Sequence, residues 1–244
     1  MQIQPYGLMI VIGILISGGV GCLLCKRYGV DFNDVILLFT YGLSFGFAGG
    51  KFVFLLVSIR SLPWGQAGFS DILIRSGFVF YGGIPFGLVG ILLAKKLHRI
   101  DLTRCLPLCV PLIPLGHAFG RIGCSLVGCC RGMAYNGPCA ITYYNSPVAP
   151  NGQPFFPVQL LEAVLLFLLA GVLLVMLFKQ AGLDKLALTY LVSYAVMRFL
   201  LEFLRGDTER GSAAGLSTSQ WISVALTVIV PVWYVLRRKR KKPQ

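Results

Sequence analysis

The chain has 244 residues, of which 56% are hydrophobic and only 13% charged, and it carries a formal net charge of +13. Globular domains carry about a quarter charged residues, so this composition excludes an ordinary soluble enzyme. The positive charge lies mostly in short loops and in the tail RRKRKK at 237–242, which suits topology anchoring and anionic headgroups; no nucleic-acid partner is expected.

Seven runs approach the ~20 apolar residues that span a bilayer as helix, at roughly 7–25, 34–58, 77–97, 104–126, 158–178, 186–205 and 217–236. The first opens in PYGLMIVIG (5–13) and ends at Lys26 and Arg27. Its basic flank comes after the apolar run and no small-residue cleavage site follows, so it reads as a span rather than a cleavable signal peptide. The second holds Lys51, and between it and the third lies a loop, 59–76, with LPWGQAGFSD. The third carries FVFYGGIPFG (78–87). The fourth contains Pro107, Pro111 and Pro114 and closes on GHAFGRIGCSLVGCC (116–130). A long stretch at 127–157 is dense in turn formers and aromatic residues, as in NGPCAITYYNSPVAPNGQPFFP. Loops of such length are more often functional than decorative. FPVQLLE (156–162) opens the fifth run, YAVMRFLLEFLRGD (194–207) closes the sixth, and 206–216 reads as a mobile loop.

Basic residues in short loops orient the chain. With the N-terminus outside, the cytoplasmic segments hold Lys26, Arg27, Lys95, Lys96, Arg99, Arg104, Lys179, Lys185 and the six basic residues of 237–242, which is 14 of the 22 Lys and Arg. The outer segments hold Arg60, Arg75, Arg131, Arg205 and Arg210. The expected protein is therefore an all-α polytopic membrane protein of about seven helices, N-terminus out and C-terminus in. It forms one integral membrane domain over 1–244 without internal repeats. The outer loops 59–76 and 127–157 would form a small periplasmic head.

Five charged residues remain inside the spans: Lys51, Arg121, Glu162, Arg198 and Glu202. Each costs roughly 2.5–3.5 kcal/mol on insertion scales, so each is a functional candidate. Arg198 and Glu202 are four apart and share a helix face, with Arg205 one turn further. Ion pairs that fix helix packing would account for the two carboxylates. The cations, counted with Arg205, outnumber them, and a surplus near the outer leaflet wants an anion such as a lipid phosphate, which the planar guanidinium fork fits well. Gly116, Gly120, Gly123 and Gly128 would permit close backbone approach and tight helix packing around Arg121.

Together these stretches resemble the bacterial prolipoprotein diacylglyceryl transferases, in order and over nearly the whole chain. PYGLMIVIG resembles an N-terminal tyrosine motif, FVFYGGIPFG a double-glycine motif, GRIGCSLVGCCRG (120–132) the family's signature loop, FPVQLLE a His-Pro-x-Gln-Leu-Tyr-Glu segment, and YAVMRFLLEFLRGD an Arg-x-x-x-Glu-Phe-x-Arg helix. The resemblance implies a seven-helix body with a periplasmic head, in the bacterial inner membrane, with the active site toward the outer leaflet. It implies transfer of the diacylglyceryl group from phosphatidylglycerol to the lipobox cysteine of a preprolipoprotein signal peptide, with release of glycerol phosphate and without a cofactor. Arg121 and Arg198 fall on the two essential arginines. Tyr6, Gly82, Gly83, Gly132, Tyr194, Glu202 and Arg205 fall on further motif positions expected to bind substrate, with Glu202 orienting Arg198.

The chain departs from the pattern at several positions. Tyr81 stands where members carry histidine before the glycines; an unperturbed tyrosine, with a pKa near 10, is a poor base and serves as a hydrogen-bond donor. His117, one turn before Arg121, is then the alternative base, unless it is simply a packed histidine. Cys124 replaces the signature's asparagine, Cys129 its acidic residue, and Phe156 and Leu161 the histidine and tyrosine of the fourth motif. Cys22, Cys25, Cys105 and Cys109 read as small apolar helix residues. Cys124, Cys129, Cys130 and Cys139 cluster on the outer, oxidising side, where a disulfide is plausible. No metal site is expected, since only thiols are near and their spacing matches no standard zinc motif. A paralogue with another acceptor, a membrane thiol oxidoreductase and an anion transporter stand as alternatives.

Overall fold

The computed structural model describes residues 5–58, 80–206, 212–213 and 215–240. Within them lie seven helices: α1 (Pro5–Tyr28), α2 (Phe32–Ser58), α3 (Phe80–His98), α4 (Leu102–Val127), α5 (Val158–Phe178), α6 (Leu183–Glu202) and α7 (Thr218–Arg240). Two short antiparallel pairs accompany them, β1 (Ile141–Thr142) with β2 (Pro154–Phe155) and β3 (Ser212–Ala213) with β4 (Leu216–Ser217). Five of the helices, α1, α2, α4, α5 and α7, are long and apolar enough to cross a membrane. The protein is an all-α polytopic membrane protein. The loop 59–76 and the side chains of the basic tail lie outside the described residues.

Local chemistry sets most helix ends. Pro5 opens α1, where its missing N–H is no loss, and Gly29 closes it with φ +62°. The Val30 N–H then reaches the Cys25 carbonyl at 3.0 Å, the long bond of a Schellman cap. Asp31 caps α2 by accepting from the Asn33 N–H at 2.9 Å. Asp101 does the same for α4, accepting from the Thr103 N–H at 3.0 Å and its hydroxyl at 2.6 Å. Those bonds hold the Asp101 carboxyl below the usual carboxylate range. Ser217 and Gln220 form a reciprocal capping box for α7, at 2.9 and 3.2 Å. The prolines of α4 do not end it; their spacing puts all three on one face.

The sixth span departs from expectation. Its helix stops at Glu202, and Phe203, Leu204 and Arg205 each donate to the carbonyl three residues back. This tightened turn takes Arg205 off the helix into an antiparallel bridge with Gly132. Within 206–216, expected to be a loop, the described part forms the β3–β4 pair.

The chain divides into two compact units, residues 25–106 and residues 1–24 with 107–244. In the first, α2 and α3 cross through small residues. A Cβ on Gly90 would lie 2.5 Å from the Tyr41 carbonyl oxygen, one on Gly82 would lie 2.6 Å from Val53 Cβ, and one on Gly87 would lie 3.1 Å from the Gly42 oxygen. Gly82 and Gly83, expected at a substrate site, are thus buried at this crossing. The side chain of Tyr81 lies outside the described residues. In the second unit, α4, α5 and α6 meet around Ala118, Ala163 and Leu166, with Ile122, Phe167, Tyr194 and Met197 against them. A second small core, Tyr143, Ala149 and Phe155, lies beneath the β1–β2 pair.

Gly90→Ala should force α2 and α3 apart and lower stability by about 1–3 kcal/mol. Gly171→Ala on α5, where an added Cβ meets nothing within 4 Å, should be neutral or stabilising by up to about 1 kcal/mol. Thermal unfolding of the two variants in the same detergent checks the contrast.

Candidate active site around Arg121 and Arg198

Three helices aim polar side chains into one region of the second unit. His117, Arg121 and Cys124 recur along α4 at a spacing that keeps one face. Gln159 and Glu162 are one turn apart on α5, as are Tyr194, Arg198 and Glu202 on α6. The chain reversal after α4 completes the set. Gly128, with φ +85°, sends its N–H to the Cys124 carbonyl at 2.9 Å, a left-handed cap. A Cβ there would lie 2.7 Å from Ser146 Oγ. Ser146 Oγ donates to the Val127 carbonyl at 2.6 Å and accepts from the Ala149 N–H at 2.8 Å, which ties the 141–155 region to the end of α4.

The buried charges pair across and along helices. Arg121 donates through Nη2 to Glu162 Oε2, and both residues are buried, at 8% and 2% exposure. Arg198 Nη2 lies 2.7 Å from Glu202 Oε2. That contact is an ion pair, and both Glu202 Oε2 and Arg198 Nη1 are buried without hydrogen-bond partners. Nε of Arg121 and Nε of Arg131 are likewise buried and unpartnered. Arg131 places its guanidinium 5.0 Å from the Phe155 ring centroid. Arg205 donates to the Cys130 sulfur and lies within electrostatic reach of Arg121. Lys51, grouped with these cations in the sequence, belongs to the other unit.

Gly132 contributes geometry rather than a side chain. A Cβ on it would lie 2.4 Å from the Phe156 oxygen and 3.1 Å from the Leu204 oxygen, and one on Gly206 would lie 2.5 Å from the Gly132 oxygen. Only glycine lets the two strands close. The Met133 N–H to Leu204 carbonyl bond, 2.9 Å, then holds Arg205 toward the site. Of the four glycines expected to pack around Arg121, Gly123 abuts Tyr6 and Met9, Gly116 approaches Ser17, and Gly128 makes the turn. Gly120 does not fit that role, because an added Cβ there would meet nothing within 4 Å.

Tyr6 on α1 stands within electrostatic reach of Arg121, Cys124, Cys129 and Cys130. His117 packs its ring 5.7 Å from that of Tyr194 and lies within reach of Glu162, Arg121 and Arg198. The plausible outer disulfide is not formed; none of the eight cysteines is bridged. Instead Cys124, Cys129 and Cys130 gather their sulfurs within 4.8 Å of one another. The Cys130 thiol is held well below the usual cysteine range by hydrogen bonds from Cys124 and Cys129, and then by Arg205.

Three residues escaped the sequence reading. Gln159, 1% exposed, donates to the Cys129 carbonyl at 3.0 Å. Tyr143 shares hydrogen bonds with Ser125 and Gln159. Arg131 reads in the sequence only as a loop charge. The polar Gln159, one turn from Glu162 on an otherwise apolar helix, was the available clue.

A model of the family described as prolipoprotein diacylglyceryl transferase matches residues 1–236. The chain belongs to the prolipoprotein diacylglyceryl transferase family. Its similarity to two curated members runs nearly end to end. It is 34% identical to the phosphatidylglycerol–prolipoprotein diacylglyceryl transferase of Clostridium tetani, over 99% of this chain and 96% of that protein. It is 34% identical to the second such enzyme of Clostridium perfringens, over 93% and 88% respectively. A Dehalococcoides mccartyi relative of the same name is 26% identical over 99% of this chain and 92% of its own length. Membership makes the chain a transferase, in place of the oxidoreductase and transporter alternatives.

Glu162→Ala should lower stability by about 3–5 kcal/mol, because it leaves Arg121 buried without a counter-charge. Replacing the pair together, Arg121→Met with Glu162→Leu, should recover most of that loss. Thermal unfolding of both variants decides it, and equal losses would deny the pair its organising role.

Proposed function

We propose that this transferase moves the diacylglyceryl group of phosphatidylglycerol onto the lipobox cysteine of preprolipoprotein signal peptides. The relatives' names supply donor and acceptor class. One observation carries the assignment to particular residues: Arg121 and Arg198, each held by a glutamate, keep a buried N–H without an acceptor. A buried donor left unmade costs about 1–3 kcal/mol and more when charged, and phosphate oxygens would satisfy it.

The chemistry follows from that placement. The acceptor thiolate attacks the glyceryl carbon that bears the phosphate ester; the C–S bond forms, the C–O bond breaks, and glycerol phosphate departs with the bonding electrons. Charge grows on the departing phosphate, where preorganised guanidinium groups in a dry site stabilise the transition state most. Glu202 orients Arg198 and remains ionised beside it. Arg205, positioned by Gly132, adds a third cation, with Tyr6 and Tyr194 as binding groups. We assign proton uptake from the acceptor thiol to His117, which shares the field of Arg121 and Arg198. An apolar groove of about 610 Å³ between α5 and α6, lined by Leu161, Leu165, Met197, Leu201 and Leu204 among others, suits an acyl chain of the donor. The site would face the outer leaflet of the bacterial inner membrane, with the N-terminus out and loop 127–157 as its cap.

The test is a transfer assay with purified protein, phosphatidylglycerol and a lipobox peptide, following glycerol phosphate release and the peptide's mass gain together. Arg198→Ala, and Arg121→Met combined with Glu162→Leu so that no buried charge is left unpaired, should each abolish both signals while the protein stays folded. Arg198→Lys should lose about 10²–10³-fold, since lysine keeps charge without the fork. A fully active arginine variant would remove the phosphate-clamp assignment. Donor cleavage without peptide modification would indicate a different acceptor.

A further inference from the structure

Three thiols converge beside the arginines at positions where the family's signature does not call for them. Cys124 ends the buried face of α4, and the turn at Gly128 folds Cys129 and Cys130 back onto it. Cys130 holds a left-handed backbone with φ +55°, an uncommon conformation for a residue with a side chain. Cys129 directs its sulfur toward the Cys124 carbonyl at 3.8 Å. Gln159 pins the Cys129 carbonyl from α5. The three sulfurs lie within 4.8 Å of one another and none is in a disulfide.

That arrangement is close to a ligand set. A zinc ion bound by three thiolates at about 2.3 Å requires sulfurs roughly 3.8–4.0 Å apart, tetrahedral or trigonal. Closing the cluster therefore takes shifts of ~1 Å or less, within the reach of χ1 adjustment. Cys124 is buried at 9% exposure while Cys129 and Cys130 are half-buried, so the set is backed by helix on one side and open on another. Three thiolates around a divalent cation carry one negative charge, and Arg121 and Arg205 lie within reach of these sulfurs to balance it. The separation in sequence, four residues and then none, matches no common zinc motif; the reversal at Gly128 creates the triangle that spacing alone does not reveal.

We propose that Cys124, Cys129 and Cys130 form a three-thiolate zinc site whose open fourth position takes the acceptor's thiol. The second half rests on the transfer reading above. A thiol that coordinates zinc is deprotonated outright. Coordination thus supplies the thiolate at the point of attack in a chain that has Tyr81 where the family motif has histidine. The steps balance without a redox partner. The acceptor thiol displaces water from zinc, and its proton passes through that water to His117, two turns before Cys124 on α4. The sulfur electron pair attacks the glyceryl carbon, and glycerol phosphate leaves against the arginines. The thioether product, a weak ligand, gives way to water.

The experiment uses the full-length protein in detergent, purified with reductant and freed of metal by a chelator. Zinc content is measured by mass spectrometry after equilibration with micromolar zinc, and cobalt(II) serves as the spectroscopic probe. One equivalent of zinc should bind, with intense sulfur-to-cobalt charge transfer in the cobalt form. Cys129→Ser and Cys130→Ser should each weaken binding by ~100-fold or more, at or beyond the effect of losing an outer-shell partner, with thermal unfolding as the check on folding. Cys139→Ser, at an exposed cysteine outside the cluster, should bind as the parent does. A lipobox peptide should shift the cobalt spectrum, and the same peptide with serine for cysteine should not. No zinc above the level of the Cys129→Ser, Cys130→Ser double variant would overturn the site, as would two thiols missing from titration of the fresh protein. Zinc binding with a cobalt spectrum indifferent to the peptide thiol would overturn the acceptor role. Full transfer by metal-free protein would overturn it too, while leaving the transfer reading intact. Metal binding with no transfer under any condition would count against the transfer reading and leave the site standing.

Discussion

A guanidinium group inside an apolar helix bundle has to be met by something, and the rest of this molecule is arranged around that requirement. In low dielectric an unmatched charge is far more expensive than in water. Arg121 is met by Glu162 across two helices and Arg198 by Glu202 along one. Each carboxylate satisfies only part of its arginine. Buried donors on Arg121 and Arg198 have no acceptor among the described residues, and these are the donors proposed above to meet the phosphate.

Holding the helices close enough for this pairing falls to small residues. Without water to drive association, helices in a membrane gain from close packing and short polar contacts. Gly123 and Gly116 bring α1 near α4 in the unit that contains the arginines, and Gly82, Gly87 and Gly90 do the same for α2 and α3 in the other. At the end of the bundle, Gly132 and Gly206 let the loop after α4 pair with the turn after α6, and Arg205 is placed by that pairing. The glycines of the motifs are therefore read as packing and turn devices. Their chemistry is the absence of a Cβ where a carbonyl passes within about 2.4–2.5 Å of where it would stand.

The turn at Gly128 links the arginine site to the cysteines. One left-handed residue caps α4, reverses the chain and stacks Cys129 and Cys130 against Cys124. The same stretch of sequence thus presents Arg121 from the helix and a group of thiols from the reversal, with Gln159 and Tyr143 holding the loop from beneath.

Much of this was legible in the sequence. Apolar runs stand out because about twenty apolar residues are what a bilayer requires; helices fall within a few residues of these runs, and five of those described are long and apolar enough to cross. Arg198 and Glu202 are four apart on one helix, so their pairing follows from helical periodicity. Ordered motifs sufficed to indicate the family. Tertiary structure alone decided that Arg121 pairs with Glu162, 41 residues away, because the rotation of one helix against another depends on packing and not on spacing. It moved Arg205 from a helix face to a bridge, since the helix ended three residues early on contacts with Gly132. It placed Gly82 and Gly83 at a helix crossing, and it drew three thiols together through a turn whose consequences no linear spacing encodes. Periodicity and hydropathy act along the chain and can be read there; close approach between segments depends on which backbones can touch, and only the folded chain determines that.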